Sequence, residues 1–219
     1  MRVAVVGGHG KIARLLHPLL VEAGHQPVAL VRREEYRAEL EQAGAEVRLL
    51  DVERSDAAAF AEAFEGCDVV VFSAGGGPDG NAERKRTVDL EGSLKSIEAA
   101  RTRGIRRLVQ VSAINVDDPL PPDTEQVWAA YVTAKRDADV ALRRSDLDWT
   151  IIRPGRLTDD PATGLVALGP DIARGEVTRG DVAAVIAAVV DRGDTVGNQW
   201  NLVGGDLPVS DALDLAVSR

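Results

Sequence analysis

The chain is poor in sulfur and in aromatic rings, and each shortage excludes a class of protein. Its single cysteine, Cys67, cannot close an internal disulfide. Set between "FEG" and the apolar run "DVVVF", it reads as a small buried side chain rather than a nucleophile. No apolar stretch approaches the roughly 20 residues needed to span a bilayer. A membrane partner is therefore not expected. Nor does a short apolar segment with a small-residue cleavage site precede "MRVAVVGG", so the expected compartment is the cytoplasm. Basic residues are outnumbered, 26 Lys and Arg against 35 Asp and Glu, giving a net charge of −9 that opposes nucleic acid or an anionic surface. A small anionic ligand remains compatible, because a few arginines and backbone N–H groups act at short range. No metal site is expected.

What is present is an alternation. "RVAVV" is a short β run, and Ile12, Leu15, Leu16, Leu19 and Leu20 then recur at helical spacing until Gly24. Strand-like segments follow at 27–31, 45–50, 68–72, 105–112 and 148–154, with helical segments at 34–43, 55–65 and about 123–144. Another helix stops at Gly104, with Leu90, Leu94 and Ile97 marking one face. Apolar strands alternating with helices predict a doubly wound parallel sheet, an α/β Rossmann fold, with helices on both faces. At 219 residues one domain covering 1–219 is expected. After Pro154 the alternation lapses. Residues 155–178 read as a loop-rich lid, followed by a helix at 179–192, a late strand at 199–203 and a closing helix at 209–217.

In such folds ligands lie beyond the carboxyl ends of the strands. The first such end reads "GGHGKIA". Gly7 permits a tight turn, Gly10 lets the backbone approach a pyrophosphate, and the helix beginning near Lys11 and Ile12 supplies unpaired N–H groups. His9 sits inside this turn, with no carboxylate partner identifiable from sequence. The second strand ends in "LVRRE", and the guanidinium groups of Arg32 and Arg33 suit the 2′-phosphate of NADP better than the bare ribose of NAD. Solvated arginines opening a helix are the alternative. Asp51 and Val52 end the third strand, where a carboxylate can accept from an adenine amino group and an apolar side chain can lie on the ring. Ala74, Gly75 and Gly76 after the fourth strand permit close backbone approach. The basic clusters at 83–86 and 101–107 read as solvated faces.

Taken in order, "GGHGKIA", "LVRR", "DV", "SAGG", "LVQVSA", "YVTAK" and "IIRPG" resemble the short-chain dehydrogenase/reductase superfamily, in its atypical NmrA-like and flavin-reductase-like branch. The resemblance covers nearly the whole chain. It implies a Tyr-x-x-x-Lys pair, matched by Tyr131 and Lys135, with the tyrosine moving a proton while hydride moves. Residues i and i+4 share a helix face, and a neighbouring ammonium is expected to lower the phenol's pKa. The lysine would also hold the nicotinamide ribose, and Pro154 in "RPG" would lie at the carboxamide end of the cofactor. The hydroxyl that polarises a substrate carbonyl usually comes from the second residue of a Ser-Ser or Ser-Thr pair, which here reads Ser112-Ala113. Either Ser112 takes that role from one residue earlier, or the donor is missing, at a cost of about 100-fold or more in rate.

The resemblance thus implies an NADPH-dependent oxidoreductase acting on a small carbonyl, quinone or flavin-like substrate. The alternative is an NADP(H) sensor that presents a changed surface to a protein partner. A sugar-nucleotide epimerase or dehydratase uses the same pair but usually needs a larger carboxyl-terminal substrate region. Monomers and dimers are both compatible with the resemblance.

Overall fold

Runs of Val, Leu and Ile too short for stable helices become the strands, and the residues between them supply the crossovers. The computed structural model describes residues 1–77 and 80–218. Its order begins β1 (Arg2–Val6), α1 (Lys11–Glu22), β2 (Gln26–Val31), α2 (Arg37–Gln42), β3 (Glu46–Leu49), α3 (Ala57–Ala63) and β4 (Val69–Phe72). A helical run follows, made of α4 (Ala82–Arg84), a π-helical segment (Lys85–Leu90) and α5 (Glu91–Thr102). Then come β5 (Arg107–Val111), α6 (Gln126–Arg143), β6 (Asp148–Pro154), β7 (Arg156–Thr158), β8 (Leu165–Gly169) and β9 (Glu176–Thr178). The chain closes with α7 (Arg179–Val189), β10 (Asn198–Gly204), β11 (Leu207–Pro208) and α8 (Val209–Val217).

The main sheet has nine strands in the order β11-β8-β10-β6-β5-β4-β1-β2-β3. β1 to β6 and β10 run parallel, while β8 is antiparallel to β10 and to β11. Strand order reverses at β1, which lies between β2 and β4, so the crevice beyond its carboxyl end is the topological switch point. Alternation along β1 divides the core: Val3 and Val5 pack with α1, α7 and α8, whereas Ala4 and Val6 pack with α3, α5 and α6. This is the doubly wound Rossmann fold expected from the alternation.

Two local readings are corrected and one is refined. Residues 155–178 are loop-rich but also carry three short strands: β8 joins the main sheet against β10, and β7 pairs with β9 in a small parallel sheet. These strands are three to five residues long and flanked by Gly and Pro, too little for a period-2 pattern to emerge. Gly155 is needed there, since a Cβ would come within 2.2 Å of the Gly175 carbonyl oxygen. Leu94 is 40% exposed rather than on the buried face with Ile97, because Leu90 belongs to the π-helical segment and the extra residue per turn shifts the phase. On α1 the buried stripe is Ile12, Ala13, Leu16, His17 and Leu20, leaving Leu15 exposed. Cys67 is buried, and burial raises its thiol pKa. Among the described residues, no helix is long and apolar enough to cross a membrane.

Candidate functional site

The glycine turn is shaped by backbone contacts that side chains would block. Gly7 has φ +81°, and a Cβ there would lie 2.8 Å from Ala74 Cα, so the end of β1 packs directly on the chain leaving β4. The Gly8 N–H donates to Leu30 O at 3.0 Å and the Gly10 N–H to Gly7 O at 2.8 Å, which folds the turn flat over β2. Gly10 is the N-cap of α1, with no side-chain cap and no acidic residue in the first turn. The N–H groups of Lys11, Ile12 and Ala13 therefore have no intrahelical acceptor, and the first bond back is Arg14 N–H to Gly10 O at 2.9 Å. Exposed donors at the positive end of a helix dipole form a cradle for phosphate oxygens. The Ile12 side chain itself is buried.

His17 supports this turn and was not singled out from the sequence. Fully buried on α1, its Nε2 lies 2.7 Å from Gly8 O. Burial lowers its pKa, so the ring is neutral and donates to that carbonyl. A polar residue interrupting the apolar stripe of α1 was the available signal.

A cleft of about 280 Å³ opens beyond the carboxyl ends of β1 to β4. It gathers Gly7, His9, Gly10, Arg32, Asp51, Val52, Ala74 and Gly75 from four separate segments. Among the described residues, the exposed Arg32 side chain has no hydrogen bond or ion pair. Arg33, by contrast, bonds Glu35 at 3.0 Å and lies over the Tyr36 ring. Tyr36, unremarked in the sequence, stacks on His9 with centroids 3.6 Å apart and planes 4° from parallel. His9 does have a carboxylate neighbour, since its Nε2 is 3.0 Å from Glu39. Asp51 Oδ1 accepts from the N–H groups of Glu53 at 3.0 Å and Arg54 at 3.3 Å, closing the loop after β3. Lys11 does not line the cleft, because its ammonium pairs with Asp159 at 2.6 Å. Gly76 is buried beneath the cleft, its N–H donating to Asp89 Oδ2 at 2.8 Å.

Tyr131 and Lys135 sit one turn apart on α6, which starts where the Glu125 carboxylate accepts from the N–H groups of Val127 and Trp128. The half-buried Tyr131 ring is 5.3 Å from that of the exposed Trp128, and its hydroxyl has no hydrogen-bond partner among the described residues. Lys135 is buried, and its Nζ donates to Val111 O at 3.1 Å and lies 3.1 Å from Asp89 Oδ1. Burial opposes its charge, but Asp89 and then Tyr131 outweigh burial and hold the ammonium above its ordinary pKa. The expected lowering of the Tyr131 pKa is corrected. Burial raises it, the opposing pull of Lys135 is smaller, and Asp89 and Asp139 add to the rise.

Of the two alternatives at Ser112-Ala113, the geometry favours the one in which Ser112 does not serve as the donor. Its hydroxyl donates to Asp139 Oδ2 at 2.8 Å inside a buried network, so its proton is committed away from a substrate. Gln110 Nε2 donates to Asp139 Oδ1 at 2.7 Å, and Arg153 reaches Asp139 through Nε at 2.9 Å and Asp117 through Nη1 at 2.7 Å. Pro154, buried at the end of β6, accepts from Ile114 N–H at 3.0 Å and so ties the loop after β5 to β6.

Comparison with known proteins agrees with this geometry. A family model described as NAD(P)H-binding matches residues 7–193. The chain belongs to this NAD(P)H-binding family. Membership of an NAD(P)H-binding family is what the resemblance to the short-chain dehydrogenase/reductases implies. It is 38% identical to an uncharacterized sugar epimerase, YhfK, from Bacillus subtilis, over 97% of this chain and 99% of that one. A solved structure described as a putative NAD-dependent epimerase/dehydratase from Bacillus halodurans is 40% identical, with TM-score 0.91 and coverage of 98% and 99%. ChuY, described as an anaerobillin reductase from Escherichia coli O157:H7, is 28% identical, with TM-score 0.76 and coverage of 94% and 98%.

Proposed function

We propose that the protein is an NADPH-dependent oxidoreductase that reduces a small carbonyl, quinone or flavin-like substrate. The observation that carries this reading is the uncommitted hydroxyl of Tyr131, one helical turn from a lysine fixed at the carboxyl end of β5. The flat glycine turn, where a Cβ on Gly7 or Gly10 would stand 2.8 or 3.1 Å from backbone atoms, fits a dinucleotide pyrophosphate. Bound there, NADPH supplies the hydride. Tyr131 supplies the proton, to an oxygen or nitrogen of the acceptor, and its raised pKa keeps it in the acid form that reduction requires. Lys135 donates to Val111 O and pairs electrostatically with Asp89, which leaves it donor capacity for a ribose hydroxyl.

NADPH is favoured over NADH by Arg32, a guanidinium unpaired among the described residues just beyond β2, where the adenosine ribose lies in this fold. The reductase description of ChuY supports reduction as the reaction class. The sensor reading has its own observation: Ser112 is committed to Asp139 and Ala113 has no hydroxyl, so neither residue of this pair supplies the oxyanion donor. Under that reading the partner is a protein rather than a small substrate. The epimerase named for the Bacillus subtilis relative needs room for a sugar nucleotide. Here residues 156–217 are largely spent on completing the sheet and covering it with α7 and α8.

The test is NADPH oxidation, followed by nicotinamide absorbance, with a naphthoquinone, riboflavin and an aliphatic aldehyde as acceptors. Tyr131→Phe is expected to keep NADPH affinity and lose about 100-fold or more in turnover of whichever acceptor responds. Equal turnover in the variant would contradict the assignment.

A further inference from the structure

Beneath the cleft, Asp89 is fully buried in the π-helical segment, out of contact with the reacting groups. Each of its oxygens has one neighbour of consequence. Oδ2 accepts from Gly76 N–H at 2.8 Å, and Oδ1 lies 3.1 Å from Lys135 Nζ. Gly75 leaves room for this, since a Cβ there would approach Asp89 Oδ1 to 3.1 Å. A buried carboxylate beside a buried ammonium makes the pair nearly neutral as seen from a third group. That third group is Tyr131.

We propose that Asp89 is a positioning residue that neutralises Lys135 and so holds Tyr131 as a phenol, committing the site to proton donation, while tying that device to the cleft floor through Gly76. The inference deepens the oxidoreductase reading and rests on it for its meaning, though not for its test. Other charges bearing on the pair are few among the described residues. Asp139 faces it from α6 and is itself paired with Arg153 of β6, which also holds Asp117. Lys85, on the same π-helical segment as Asp89, donates to Gly77 O. An unneutralised Lys135 would act on Tyr131 as an ammonium normally does, stabilising the phenolate. On the π-helical segment both Lys85 and Asp89 are buried, with Val88 between them.

The experiment is an ultraviolet titration of tyrosinate, which needs neither substrate nor turnover. The chain has two tyrosines, so Tyr36→Phe leaves Tyr131 as the sole reporter. In that background tyrosinate is expected only above about pH 10, the ordinary phenol value. Adding Asp89→Asn, whose amide oxygen still accepts from Gly76 N–H, is expected to move the midpoint down by about one pH unit or more. Asp89→Glu, which keeps the charge, should titrate like the parent. A midpoint unchanged by Asp89→Asn in a folded variant would overturn the proposal. If Asp89→Asn fails to fold, tyrosinate near neutral pH in the Tyr36→Phe protein would overturn it instead. Should no acceptor be reduced while Asp89→Asn shifts the midpoint, the oxidoreductase assignment falls and the role of Asp89 stands.

Discussion

At the nucleotide end of the cleft, Gly7, Gly8 and Gly10 keep neighbouring atoms only 2.8 to 3.1 Å from where a Cβ would stand. At the Tyr131 end, Asp89, Gln110, Ser112, Lys135, Asp139 and Arg153 are all buried and joined by hydrogen bonds or ion pairs. One end is shaped by missing side chains, so that backbone N–H groups and a helix dipole face the ligand. The other is shaped by charges withdrawn from water, each needing its partner. The first arrangement tolerates almost no added volume, and the second almost no lost charge.

The largest break in this comparison should come from the buried charges. Asp139→Asn leaves Arg153 with only the half-exposed Asp117 as a counter-ion among the described residues and is expected to cost about 3–5 kcal/mol in denaturant unfolding. A loss of a few tenths would mean the network is hydrated and the contrast is weaker than drawn. At the glycine end, Gly7→Ala adds a methyl where φ is +81° and Ala74 is already in contact. It should cost about 1–3 kcal/mol in stability and lower NADPH affinity by about tenfold or more. The smallest effect belongs to the rim. Arg32→Ala should weaken NADPH by about tenfold, about 1.4 kcal/mol, and leave NADH unchanged, with Arg33→Ala doing less because Arg33 is already held by Glu35.

The two ends were also unequally legible. A glycine pattern after a valine run states its own backbone geometry, so Gly7, Gly10, Asp51 and Ala74 could be placed from sequence and meet in one cleft. Tyr131 and Lys135 could be found as well, because i and i+4 spacing on a helix is local. What surrounds them could not. Asp89 lies 46 positions before Lys135 and reaches it only through a π-helical segment, which ordinary helical periodicity does not foresee. The fate of Ser112 was hidden for the same reason, since its partner Asp139 is 27 positions away. His17 and Tyr36 escaped notice because each looks ordinary until the turn at Gly8 and the ring of His9 are folded against it. Of the short strands within 155–178, β8 gains its identity from β10, and β7 and β9 from each other.

The most direct test is a calorimetric titration of the purified protein with NADPH and, separately, with NADH. The account predicts micromolar NADPH binding with NADH weaker by about tenfold, the contribution of one guanidinium to a 2′-phosphate. Binding of neither would contradict it, because the glycine turn would then be only a junction between β1 and α1.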